Sequence, residues 1–165
     1  MIVLETERLI IRPLKSADAP FILMLLNEPS FIRYIGDKKV RNLKDAEQYI
    51  LNGPVASYER HGLGLCLVEL GETPIGLCGL LKRDELPHAD IGFAFLPEFW
   101  GQGFAFEAAE AVLKDARERL KLATVLAITT KNNEASIKLL QRLGLRCEGV
   151  VKIGEEELFL HTSEA

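Results

Sequence analysis

Gly101 and Gly103 stand in a short turn, Trp100-Gly101-Gln102-Gly103-Phe104-Ala105, between an extended segment and a long helical one. Glycines in such a turn let backbone N–H groups approach a ligand with no side chain in between. The first turn of the following helix adds unpaired donors and a partial positive charge. Together these form an anion site suited to a pyrophosphate. The turn is not a P-loop, because no Gly-Lys-Ser/Thr closes it. Nor is it a dinucleotide fingerprint, because the third glycine and the later acidic strand end do not fit. As a plain strand-to-helix connection the same two glycines would do no chemistry. The three cysteines, Cys66, Cys78 and Cys147, make no disulfide framework, and none sits beside a His or at a helix start, where a thiolate is favoured. Reduced thiols are expected. No His, Cys and carboxylate spacing matches a metal site.

The elements that must position this turn follow from periodicity. Arg8 to Arg12 reads as a strand closed by Pro13. Ser16 is expected to cap a helix over Ala17 to Leu26, and Asn42 a second helix with Ala46, Tyr49 and Ile50 on one face. Pro54 to Arg60 reads as a short helical piece. Gly64 to Leu70 and Pro74 to Leu81 form a hairpin about Gly71-Glu72, and Ala89 to Leu96 is a third strand. The longest helix runs from about Gly103 to Leu120, with Ala105, Ala108, Ala109, Val112, Leu113 and Ala116 at helical spacing. Thr124 to Thr129 is a β-branched strand. Asn133 caps a helix ending before Gly144, and a hairpin of Leu145 to Ile153 and Glu157 to His161 closes the chain. The order implies an α+β fold, a mixed sheet with helices on both faces.

The 165 residues suggest one domain over 1-165, long enough to bury a core without staples. With 48% apolar and 27% charged residues the composition is that of an ordinary soluble protein. A formal net charge of -4 argues against nucleic acid as a partner. The opening Met1 to Arg8 carries two acids before its first Arg and no apolar run, and no stretch is long enough to span a membrane. A cytoplasmic protein is the expectation.

Trp100-Gly101-Gln102-Gly103-Phe104-Ala105, followed by Glu107-Ala108, resembles the coenzyme A pyrophosphate loop of the GNAT acetyltransferases. Gly103 and Ala105 match that family's Arg/Gln-x-x-Gly-x-Gly/Ala pattern, with Trp100 in place of the leading Arg or Gln. A Trp there is similar to the branch containing the ribosomal-protein N-terminal acetyltransferases. Three other segments resemble that branch in order: Leu4 to Leu14, with Glu5-Thr6-Glu7-Arg8; Pro74-Ile75-Gly76 with Gly79; and Asn133-Glu134-Ala135-Ser136 running to Leu143-Gly144-Leu145. The resemblance implies a central, mostly antiparallel sheet of about seven strands, with the fourth and fifth splayed to admit coenzyme A. It implies acetyl-CoA as co-substrate, no metal, and a monomer or homodimer.

Acetyl transfer from a thioester to an amine has three needs. The ammonium, with a pKa of roughly 10, must lose a proton. The oxyanion needs a donor, and the leaving thiolate gains from a proton. By the resemblance, a backbone N–H around Phe93, Ala94 and Phe95 polarises the thioester. The amides of Trp100, Gly101, Gln102, Gly103, Phe104 and Ala105 hold the pyrophosphate, and Asn133 and Ser136 also reach coenzyme A. Lys131 and Lys138 are further candidates for its phosphates. Many members carry a Tyr four residues before the late Gly, but here that position is Leu140. Ser136 is the hydroxyl left to protonate the sulfur. Asp90 is the preferred base, sharing a strand face with the small residues Gly92 and Ala94, and Glu155 is the alternative. The acceptor is a primary amine, on a peptide N-terminus or a small molecule such as a polyamine or amino sugar. The competing reading is an acyl-CoA-binding regulatory domain that lacks catalysis, which the Leu at position 140 allows. Arg33, Lys38, Lys39 and Arg41 cluster where the acceptor wall is expected, which favours an acidic acceptor or a solvated rim.

Overall fold

The computed structural model describes residues 2–163; the single-domain expectation over 1-165 also reaches Met1, Glu164 and Ala165, which lie outside them. Eight strands form one sheet: β1 (Leu4–Glu5), β2 (Leu9–Pro13), β3 (Leu65–Leu70), β4 (Thr73–Leu81), β5 (Asp90–Phe95), β6 (Leu126–Thr129), β7 (Leu145–Ile153) and β8 (Glu156–Ser163). Their order is β1-β2-β3-β4-β5-β6-β8-β7. Every neighbouring pair is antiparallel except β5 and β6. The extra strand relative to the expected seven comes from the N-terminus. There Thr6 Oγ1 accepts from Leu9 N (3.0 Å) and folds Leu4–Glu5 back along β2.

The helices are α1 (Ala19–Leu26), α2 (Pro29–Tyr34), α3 (Leu43–Ile50), α4 (Ala56–His61), α5 (Phe104–Glu118) and α6 (Glu134–Arg142). Two caps lie where the sequence predicts them. Asn42 Oδ1 accepts from Asp45 N (2.8 Å), and Asn133 Oδ1 accepts from Ser136 N (3.3 Å). The first helix differs from expectation. Residues Ser16–Asp18 form a 3₁₀ turn, and the α-helix starts only at Ala19. Asp18 is drawn off by Arg12, whose two terminal nitrogens bind its two oxygens at 2.9 and 2.8 Å. Pro54 sits in a π-turn, Leu51–Val55, that leads into α4; lacking an N–H, it cannot extend a regular helix ladder.

Strand alternation builds two cores. Cys66, Val68, Cys78, Leu80, Ile91 and Phe95 face α5, with Ala108, Val112 and Ala116 against them. Leu67 and Leu77 face the other way, onto Ile22, Leu25 and Ile50 of α1 and α3. Between the layers, β3 and β4 approach too closely for a side chain at Gly79, where a Cβ would lie 2.3 Å from Gly64 O and 2.8 Å from Leu65 Cα. Since backbone must move to accommodate it, Gly79→Ala is expected to destabilise the fold by roughly 1–3 kcal/mol. Equilibrium denaturation measures this, and a midpoint equal to that of the parent would refute it.

Candidate active site

The sheet opens at its one parallel junction. β5 and β6 share a single register pair, Asp90 with Leu126, and Leu126 N donates to Ala89 O at 2.9 Å. Beyond that rung the strands diverge. Leu96 N donates to Ile75 O (3.0 Å) on the β4 side, whereas Ala89 O faces β6. By alternation, the N–H and C=O groups of Ile91, Phe93 and Phe95 point toward β6. The same logic turns Ile128 and Thr130 toward β5. The opening is therefore a wedge past the Asp90–Leu126 pair, bordered by the backbone of Phe93 and Phe95 on one side and Ile128 and Thr130 on the other. The Thr130 hydroxyl is buried here without a hydrogen-bond partner. Phe93 and Phe95 send their side chains into the α5 core, and Ala94 packs on the opposite face, so backbone is what these residues offer the wedge.

At the open end of β5 the chain turns through Trp100 to Gly103 into α5. Gly101 and Gly103 have φ of 75° and 84°, the left-handed region that glycine adopts without strain. Gly103 caps α5 with no side chain, leaving the first-turn amides of Phe104 and Ala105 without a capping side chain. The Trp100 indole N–H donates to Phe95 O at 2.8 Å, and Gln102 Nε2 donates to Glu98 O at 3.1 Å. Both bonds fold the loop back onto the strand end. Trp100 is otherwise half exposed.

A further set of residues, not anticipated from the sequence, braces the loop from the N-terminal strands. Glu107 accepts from Thr6 Oγ1, from Arg8 N (2.9 Å) and from Arg8 Nε (2.7 Å). Partial burial works to raise its pKa, yet these bonds from Thr6 and Arg8 hold the carboxyl below its usual range. Thr6 and Arg8 belong to a segment already quoted for its likeness. No local signal links them to a glutamate 99 or more residues away.

Asp90 begins β5 and is 1% exposed. Burial pushes its carboxyl above the ordinary range, partly offset by Arg83, whose Nε lies 3.0 and 3.2 Å from the two carboxylate oxygens. Burial lowers the Lys38 ammonium and raises the Tyr49 hydroxyl from their usual ranges, and the charge of Arg83 acts on both. Lys38, Lys39, Asp45, Gln48, Tyr49 and Asn52 line an open concavity beside α3, where the two lysines outnumber the one acid. Arg33 is apart from it, over the Tyr34 ring, and Arg41 pairs with Asp37 at 2.6 Å. The sequence cluster is thus divided.

Asn133 and Ser136 are brought together at the start of α6, joined by the cap bond. Leu140, in place of the family's tyrosine, is 1% exposed and belongs to the α5-side core. Tyr58 cannot substitute for it: its hydroxyl donates to Leu65 O and accepts from Leu14 N, and burial raises its pKa far above the usual range. Glu155 is exposed in the β7–β8 turn, and nearby Lys131 pairs with Glu157 at 3.7 Å. Asp90, Ser136 and Glu155 therefore sit on three separate elements: the start of β5, the first turn of α6 and the β7–β8 turn. Cys66 and Cys78 are buried, Cys147 is exposed, and burial pushes the Cys66 thiol up to about 11. Among the described residues no group of three or more His, Cys, Asp or Glu could hold a metal, and no helix is long and apolar enough to cross a membrane.

A family model described as an acetyltransferase (GNAT) domain matches residues 8–146. An uncharacterized N-acetyltransferase of Bacillus subtilis, YoaA, is 30% identical over 155 residues, which cover 91% of this chain and 86% of that protein. Among solved structures, an acetyltransferase from Agrobacterium tumefaciens superposes with a TM-score of 0.86 at 25% identity, covering 100% of this chain and 95% of that one. RimL, a ribosomal L7/L12 N-terminal acetyltransferase solved with coenzyme A, superposes with a TM-score of 0.88 at 15% identity, covering 99% and 98%.

Proposed function

The chain belongs to the GNAT acetyltransferase family and is an acetyl-CoA-dependent N-acetyltransferase, and from that premise we propose direct transfer to a primary amine within a ternary complex. The observation that carries this reading is the wedge between β5 and β6, which share one register pair and then part beside the backbone of Phe93 and Phe95. Pantetheine fits that slot, and a strand N–H there polarises the thioester carbonyl and supports the oxyanion. The amides from Gly101 to Ala105 take the diphosphate, with Asn133 near it. Asp90, through a water, accepts the proton of the attacking amine. The C–S bond then breaks, and Ser136 returns a proton to the thiolate. The acceptor amine sits on a peptide N-terminus or a small molecule, and Lys38, Lys39 and Tyr49 in the concavity favour one with acidic neighbours. A cytoplasmic setting fits the three unpaired cysteines.

A direct route needs no acyl-enzyme, and the raised thiol of buried Cys66 argues against one. The test is a panel of amines and N-terminal peptides with acetyl-CoA, read as free thiol, alongside intact mass of the protein with acetyl-CoA alone. Thiol release that depends on an amine, with no acetyl adduct, supports the reading. A stoichiometric adduct that an amine discharges would overturn it.

Ser136→Ala is expected to lower kcat with little change in the KM for acetyl-CoA, because the proton it supplies is needed only as the thiolate leaves. If only melting temperature or coenzyme affinity changes, Ser136 serves the helix start alone.

A further inference from the structure

We propose that Arg8 is a binding residue for the diphosphate of coenzyme A, aimed at it by Glu107. The inference rests on Gly101 to Ala105 being the diphosphate loop. Arg8 lies outside that loop, in the turn between β1 and β2, yet it touches the loop at several points. Its Nη1 donates to Gln102 O at 3.1 Å, and its guanidinium carbon lies 4.4 Å from the centre of the Phe104 ring. A Cβ built on Gly103 would be 3.3 Å from Nη2. Nε is taken by Glu107 and Nη1 by the loop carbonyl, while Nη2 has no hydrogen-bond partner among the described residues.

The guanidinium is therefore fixed by two of its nitrogens, and its third is held beside the glycine whose neighbouring amides point outward. A planar cation with a spare N–H matches a phosphate oxygen. The arrangement also resolves an electrostatic conflict. Glu107 stands in the first turn of α5, where a carboxylate suits the helix but repels a diphosphate. Paired with Arg8 at 2.7 Å, its charge is neutralised on the loop side, and the turn presents a net donor surface. Side-chain exposures of 41% for Arg8 and 19% for Glu107 leave the cation reachable by a ligand while its anchor is covered.

Calorimetric titration of Arg8→Gln, Arg8→Lys and the parent protein with coenzyme A and dephospho-coenzyme A tests this, with ligand-observed NMR for the weaker pantetheine. Dephospho-coenzyme A keeps the diphosphate and lacks the 3′-phosphate; pantetheine lacks both. Arg8→Gln is expected to weaken the first two by about tenfold, the scale of one charge-assisted hydrogen bond, and to leave pantetheine unchanged. Arg8→Lys keeps the charge without the fork and should fall between. If Arg8→Gln does not fold, as judged by its melting curve, Arg8→Lys alone carries the comparison. Equal losses for all three ligands would place the effect outside the diphosphate, and a loss as large in Arg8→Lys as in Arg8→Gln, with the melting temperature lowered in step, would mean that Arg8 only braces the loop; in either case the proposal fails. A loss confined to coenzyme A would move Arg8 to the 3′-phosphate and also overturn it. No loss, while Gly103→Val still abolishes binding, would overturn the role of Arg8 and keep the loop. No loss in either variant would remove the loop reading itself.

Discussion

Asp90→Asn is expected to lower kcat by about 10²- to 10⁴-fold, the usual worth of a positioned base. The substitution keeps the shape and removes the proposed acceptor of the amine proton. The position is suited to the task because burial raises the Asp90 carboxyl above its ordinary pKa, against the opposing pull of Arg83. A more basic carboxylate takes a proton more readily near neutral pH. The deficit should shrink as pH rises and more of the amine is already free. The same shift predicts the stability of the variant. A folded carboxyl with a raised pKa binds its proton more tightly than the unfolded chain does. The ionised form therefore costs stability, and the cost grows as pH rises from the unfolded pKa, roughly 3.9, through the raised folded value. Asn carries no such cost, and solvent can take up Arg83, which is 31% exposed. The variant should melt at or above the parent temperature at neutral pH, and the difference should vanish at acid pH. Loss of turnover with retained stability is the combined expectation. Near-normal kcat with the parent pH profile would eliminate Asp90 and turn attention to Glu155.

Gly103→Val is expected to weaken coenzyme A binding by about 100-fold or more. That figure corresponds to losing two amide-to-phosphate hydrogen bonds of roughly 1.5 kcal/mol each. At φ of 84° a β-branched residue is strained, and its methyls would project beside Arg8 Nη2, at the point where an anion must meet backbone. The turn would either relax out of its left-handed geometry or obstruct the amides of Phe104 and Ala105. Calorimetry with coenzyme A, checked by circular dichroism for folding, measures it. Unchanged affinity in a folded protein would show that the diphosphate lies elsewhere.

Features written in contiguous residues were legible in the sequence. Asn42 and Asn133 cap helices because an Asx side chain reaches an amide three residues on, and nothing distant competes. The glycine turn before α5 and the β3–β4 and β7–β8 hairpins are equally local. Where a distant partner intervened, the reading slipped. Ser16 does not start α1, because Arg12 claims Asp18 and Pro20 favours a start two residues later, at Ala19. Pro29–Tyr34, a helix opened by its proline, was missed for being a six-residue element without a clear apolar period. The site divides the same way. The glycine turn that opens α5 is legible. The Arg83 partner of Asp90 and the Glu107 partner of Arg8 depend on register and on which strand ends meet, and no spacing encodes those.

The wedge between β5 and β6 has a consequence for cooperativity. Strands β1 to β5 come from residues 4–95, and β6, β8 and β7 from residues 126–163, so each side of the wedge is assembled from its own continuous stretch of chain. α5 bridges the two stretches, and one backbone rung joins the strands at the seam. Such stretches behave as separate opening units when few contacts cross between them. A donor lodged in the seam fastens one unit to the other, and its binding energy adds to whatever resists their parting. Saturating acetyl-CoA, bound in the seam as proposed, should therefore protect amides on both sides of it from exchange, those of β6 and β8 as much as those of β5.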